Sequence, residues 1–281
     1  MMFFKVLRYD LQNGTLKAFR KFLLAIAIFL ISALDFSLRA PSMQARLNAA
    51  HATLGDYFAY VNFGMREYVV GSPEPFRFPA LWMLFLLFAL YMVLYYPYND
   101  LYGYGKQVLV NARSRTSWWF AKCAWLIVSQ IIYFALFFLT VTLFAKARGA
   151  VMTLEVSEYI FVYNIPPTDL QFPIPGNFNV ELLLFPFLLV VALGLLQLLL
   201  SLVIRPILSY VVSIALLIAS AYYVSPFMVG NYAMLARSNQ VVLHGVDSTM
   251  GIIYLAGIAV FSMVVGWLYF YRFDILSNER I

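Results

Sequence analysis

Hydrophobic and polar positions separate along this chain in long blocks. Uncharged, mainly apolar runs extend over 78–99, 123–145, 182–204, 206–236 and 248–271, with a shorter one at 22–34. A helix needs about 20 such residues to cross ~30 Å of hydrocarbon. The five long runs meet that length, and the short one does so once its helix continues to Leu38, with Asp35 near the end and within reach of water. The pattern predicts an all-α, polytopic bundle in one domain over 1–281, with six spans at about 22–38, 79–98, 118–145, 181–204, 206–227 and 249–271. The first run has the profile of a signal peptide, but no small-x-small cleavage site follows it.

Composition narrows the function classes. Residues are 63% hydrophobic and only 11% charged, against roughly a quarter charged in soluble domains. Spans and their loops use the length, which leaves no stretch for a separate soluble catalytic domain. The single cysteine, Cys123, permits no intrachain disulfide. A net charge of +6 would suit nucleic acid, but the Lys and Arg residues flank hydrophobic runs. That placement reads as membrane orientation, with no nucleic-acid partner. With the N-terminus inside, twelve of the 19 Lys and Arg fall on inner segments. Tyr95, Tyr96, Tyr98, Trp118, Trp119, Trp267, Tyr269 and Tyr271 fall at the inner interface. Both termini are therefore expected to be cytoplasmic.

Between the runs, Phe4, Leu7 and Leu11 recur at helical spacing beside Lys5 and Arg8. They predict an N-terminal amphipathic helix on the membrane surface, or else a simple positive-inside flank. Asn13 and Gly14 should break it and Thr15 should cap the next helix. Two long outer segments follow, Arg39 to Arg77 and Lys146 to Val180, both rich in proline. Arg205 and Pro206 make a tight inner turn, with Pro206 in the first turn of the fifth span.

Catalytic chemistry has little to work with. The histidines, His51 and His244, fall in outer segments, and there is no H-E-x-x-H or cysteine pair for a metal. The run Gly103, Tyr104, Gly105, Lys106 lacks phosphate-loop spacing. No cofactor is expected on this chain. The five long runs contain no ionisable residue, which argues against ion-coupled transport and places the energy source elsewhere. Ser129, Gln130, Gln197 and Ser201 lie within spans. They either line a substrate path or join helices by hydrogen bonds.

The segment from Tyr95 to Trp125 is the most informative. Pro97 should end the second span, Asn99 or Asp100 should cap a short helix over Leu101 to Val110, and Trp118 and Trp119 should anchor the third span. A short helix between two spans, at about 99–115, suits a permease that receives force from a soluble motor; an ordinary inner loop is the plain alternative. Candidate contacts are Asp100, Tyr102, Tyr104, Gly105, Gln107, Arg113 and Arg115.

Gly105, Gln107, Arg113, Arg115, Trp118, Trp119 and Lys122 resemble the corresponding loop of ABC transporter permeases of the type-2 exporter class, in particular the small six-span permeases of Gram-positive bacteria. Further likeness runs from Pro206 through Ala221, Tyr222 and Tyr223 to Gly230–Leu235 and Arg237, and again over Phe273–Leu276. The long segment from Lys146 to Val180 departs from the shorter link common in such permeases. The resemblance implies a multi-pass permease in a bacterial plasma membrane. It would be docked on an ABC ATP-binding subunit that holds ATP and Mg, and paired with a second copy or a sibling permease. Substrates of such permeases are amphipathic: peptides, lipid-linked molecules or drugs. The rival reading is a structural or sensory membrane subunit that transports nothing. An intramembrane enzyme is disfavoured by the lack of paired ionisable residues in the runs.

Overall fold

Long uncharged runs become long helices. The computed structural model describes residues 2–47, 51–68, 76–103, 105–112, 114–166, 168–171 and 178–273. Its α-helices are α1 (Met2–Asp10), α2 (Phe19–Leu47), α3 (Leu54–Asn62), α4 (Ala80–Val93), α5 (Tyr96–Tyr102), α6 (Gly105–Ala112), α7 (Arg115–Ala147), α8 (Glu158–Asn164), α9 (Phe178–Leu200), α10 (Pro206–Tyr222) and α11 (Ser248–Arg272). Among the described residues the extended pairing is confined to isolated bridges, such as Thr53 with Val151.

Among the described residues, five helical stretches are long and apolar enough to cross a membrane: Met2–Ala45, Ala80–Tyr102, Arg115–Ala147, Glu181–Leu200 and Ser248–Arg272. Their outward faces are apolar, with Leu23 and Ile31 on α2, Ile131 and Leu139 on α7, and Ile253 and Val260 on α11 all exposed. The run expected as the fifth span forms α10, whose 17 residues rise only about 25 Å. It stops at Tyr222 instead of near residue 227.

Two helix boundaries depart from the sequence pattern for steric reasons. Asn13 and Gly14 break nothing: the helical backbone passes through a wide turn at Leu11–Thr15 and a tight one at Leu16–Ala18 into α2. Gly14 is there because a Cβ would collide with the Trp125 indole and the Tyr96 ring. Thr15 forms no cap; its hydroxyl accepts the Trp125 indole N–H at 3.0 Å and pairs with Ser129 at 3.3 Å. In the second case α4 ends before Pro97, within the Ala80–Tyr102 stretch. The proline ring excludes the carbonyl four residues back, that of Val93, from an α-helix. The helix breaks over Leu94 and Tyr95, and Pro97 sits in the first turn of α5.

The core centres on α9, the most enclosed of the long helices, which packs against α11, α10, α7, α4 and α3. Beside it Phe29 of α2, Phe85 of α4, and Tyr133 and Phe137 of α7 interlock, with ring centroids 4.6–6.0 Å apart. The Tyr133 hydroxyl is satisfied by the Phe85 carbonyl at 2.9 Å.

The first outer segment is more ordered than its mixed polarity suggests. Thr53 and Asp56 form a capping box that starts α3, and α3 inserts against α7 and α9. Asp56 is fully buried. Its carboxylate accepts Thr53 N–H (2.9 Å), Ser157 N–H (2.6 Å), Ser157 O–H (2.8 Å) and Tyr159 O–H (2.9 Å). Burial, reinforced by that carboxylate's charge, pushes the Tyr159 phenol above its ordinary range and keeps it a donor. Asp56 thus joins the two outer segments. Asp56→Ala should cost about 3 kcal/mol, because it removes charge-assisted bonds and strands buried donors, and Tyr159→Phe about half that. Thermal unfolding of the purified protein checks the ranking, and a larger loss in Tyr159→Phe would contradict it.

Candidate functional site

Lys122 lies two turns into α7 and is fully buried. Its Nζ donates to Asp10 Oδ1 and, at 2.6 Å, to Asp100 Oδ2. Asp10 is the last residue of α1 and Asp100 belongs to α5, so one ammonium joins three elements. Tyr96 donates to Asp10 Oδ1 at 2.8 Å and Tyr9 to Asp100 Oδ1 at 3.3 Å. The Tyr96 and Trp118 rings approach Nζ with centroids 4.7 and 4.9 Å away, within cation–π range. Asp10 Oδ2 is enclosed without a donor. The sequence pattern makes Lys122 an orienting flank and Asp100 a helix cap; the structure makes both members of a buried ion cluster.

The expected single helix over Leu101 to Val110 is two helices, α5 and α6, with Gly103 capping the first. Gly105 opens α6 where a Cβ would strike the Asp100 carboxylate and carbonyl, so only glycine allows this approach. Tyr102 is half-buried, its ring centroid 4.7 Å from that of Tyr98, and Gln107 is exposed. Tyr104, Arg113 and the Asp274–Leu276 motif lie outside the described residues. Arg115 turns inward: one guanidinium nitrogen donates to the carbonyls of Tyr271 (3.0 Å) and Phe273 (2.6 Å). These belong to the orphan carbonyl groups at the end of α11, so Arg115 couples the start of α7 to the end of α11. Trp118 and Trp119 are buried between these helices. Trp118 stacks on Phe270 at 4.6 Å, and Trp119 donates to the Met263 carbonyl at 2.9 Å.

Three of the four polar candidates within the spans join helices. Gln130 donates to the Ala89 carbonyl (2.9 Å) and Gln197 to that of Leu90 (3.3 Å), the latter among the last four carbonyls of α4, where helical partners run out. Ser129 meets Thr15, and Ser201 bonds its own helix at the Leu198 carbonyl. Both glutamines keep an enclosed, unpartnered amide oxygen.

At the other end of α7, a cleft of about 1110 Å³ opens between the outer segments, with Tyr68, Arg77, Tyr163, Asp169, His244 and Arg237 in its lining. Arg237 is nearly fully buried. Its guanidinium meets the carbonyls of Met65 (3.0 Å), Ala221 (2.6 Å), Ser220 and Tyr223, and the Asn231 side chain. Those acceptors at the end of α10 fix where that helix stops. Burial pushes the guanidinium down to about 10, against the opposing pull of Glu67, so it remains a cation at neutral pH.

Breaking a buried ion pair by removing one partner costs about 3–5 kcal/mol, whereas replacing the whole set with neutral groups is far milder. Lys122→Met should therefore lose about 3–5 kcal/mol. Adding Asp10→Asn and Asp100→Asn to Lys122→Met should recover most of that loss in thermal unfolding. A triple variant less stable than Lys122→Met would show that the cluster is not the clamp described.

A comparison with curated proteins returned no match. The family model described as "Protein of unknown function (DUF2705)" matches residues 57–276, from within α3 to beyond the end of α11. Covering well over half of the sequence, that match makes this chain a member of the DUF2705 family.

Proposed function

We propose that this chain is the membrane permease subunit of an ATP-driven ABC exporter that moves an amphipathic peptide, lipid-like molecule or drug across a bacterial plasma membrane. In this reading α10 crosses as a sixth span and both termini are cytoplasmic, as the Lys and Arg distribution favours. ATP and Mg reside on a partner ATPase, and a second copy or a sibling permease completes the membrane unit.

The observation that supports this most is the Lys122 clamp on α5. Two short helices, α5 and α6, lie between two long apolar ones, and their base is tied to α1 and α7. A motor pressing on α5 and α6 would move Asp100, and through Lys122 both α1 and α7. The break at Leu94–Tyr95 gives α5 a hinge against α4. The resemblance of the loop to type-2 exporter permeases points the same way.

One observation favours a non-transporting structural or sensory subunit instead. Ser129, Gln130, Gln197 and Ser201 are all buried and each bonds within the helix packing, so none of them lines an open path in this conformation.

Two measurements test the proposal. Affinity purification from the native membrane should bring down an ATPase whose turnover depends on the permease, while the isolated chain shows only background hydrolysis. Tyr102→Ala with Tyr104→Ala should then weaken the complex, by about 2 kcal/mol or more if either is an anchor; unchanged assembly and turnover would mean that the docking surface lies elsewhere. For topology, Cys123 is replaced and a new cysteine is placed near Arg280. An impermeant reagent should leave it unlabelled in intact cells, and labelling would defeat the cytoplasmic assignment.

A further inference from the structure

The cleft of about 1110 Å³ opens where the outer segments meet the long helices. Phe78 and Pro79 line it immediately before the first residue of α4, and Val224 lines it just beyond the end of α10. Because α4 begins one of the stretches apolar enough to cross a membrane, this side of the cleft lies where that helix leaves the hydrocarbon. One wall is held in place from behind. The Tyr68 ring packs on Phe76 and Tyr222, with centroids 5.5 and 5.3 Å away, and those two rings meet each other at 5.7 Å. Phe78 and Leu243, both more than half exposed, add apolar surface to the lining.

Among the described residues, the charged groups of this lining are Arg66, Arg77 and Arg237 against Glu67 and Asp169. Arg237 is already occupied: carbonyls surround its guanidinium, and Glu67 is near enough to act on its charge. Asp169 accepts the Thr168 hydroxyl at 2.9 Å. Arg77 is exposed and, among the described residues, has no ion pair. His244, also exposed, brings a ring N–H to the same lining. The cleft thus sets an unpaired guanidinium beside an aromatic and aliphatic wall. A guanidinium fork fits a phosphate or carboxylate through two parallel bonds. Small-molecule sites run up to about 1,000 Å³, so this space is far larger than a simple anion would fill.

We propose that this cleft binds an amphipathic anion of the adjoining membrane leaflet, a lipid-like molecule with a phosphate or carboxylate head. Arg77 pairs with the head, His244 donates to it, and the apolar part lies over Tyr68, Phe78 and Leu243. The place of the cleft at the membrane surface selects a membrane-borne ligand over a dissolved one, and the unpaired arginine selects an anion. The assignment is separate from ATP-driven export. It holds equally for a permease and for a subunit that transports nothing.

The test uses the full chain purified in a non-ionic detergent, with bound lipid measured by native mass spectrometry. Phosphatidylglycerol, phosphatidylcholine with the same acyl chains, and inorganic phosphate are titrated in turn. Phosphatidylglycerol should fill one saturable site about tenfold or more tighter than phosphatidylcholine. Arg77→Gln should erase that preference, Arg77→Lys should keep part of it, and Leu243→Ser should weaken both lipids alike. Arg77 is exposed, so its variants should unfold at the same midpoint as the unaltered chain. Arg20→Gln, at the exposed start of α2, controls for lipid held by the basic N-terminal flank. Equal affinity for the two lipids would overturn the anionic assignment. Inorganic phosphate binding as tightly as phosphatidylglycerol would make the ligand a dissolved anion. A preference lost in Arg20→Gln but kept in Arg77→Gln would place the lipid at the other end of the bundle.

Discussion

An ammonium group taken out of water must find its counter-charge within a few ångströms, because an isolated buried ion is too costly to keep. Lys122 meets that demand with side chains 112 and 22 residues away in sequence, Asp10 and Asp100. Neither α1 nor α5 would be a stable helix alone at nine and seven residues, since short helices in water draw their stability from packing. The positions of α1 and α5 both follow from one charge on α7, while Pro97 supplies the break between α4 and α5. Arg115 extends the same end to α11 through that helix's last carbonyls.

The opposite end solves the reverse problem with neutral partners. Asp56 is surrounded by N–H and O–H donors, and Arg237 by carbonyls and one side-chain amide. Such sites are directional, so each fixes geometry: Asp56 sets the two outer segments against each other, and Arg237 ends α10. The two ends of the bundle are thus tied by different means, an ion cluster at one and hydrogen-bonded single charges at the other.

The long helices were legible because absence of charge over more than 20 residues has few other physical meanings. What escaped the sequence depended on partners far along the chain. Lys122 abuts an apolar run, and nothing local distinguishes a snorkelling flank from a buried clamp until Asp10 and Asp100 are brought to it. Asp56 lies in a long outer segment that gives no local sign of a buried carboxylate, although Thr53 three residues earlier carries the capping-box signal. Tyr102 and Gly105 do fall on short helices at the expected place. The boundary before Pro97 was recoverable in principle, because the excluded carbonyl is always four residues back.

The reach of Asp56 has a consequence for how the molecule is made. Its partners Ser157 and Tyr159 stand 101 and 103 residues further along the chain. When α3 has been synthesised, neither they nor α7, against which it packs, yet exists. The segment must therefore wait, its carboxylate hydrated and its apolar face uncovered, until a further hundred residues have been made. The outer layer closes late, and a chain stalled after α3 would present to the folding machinery a helix that has nowhere to go.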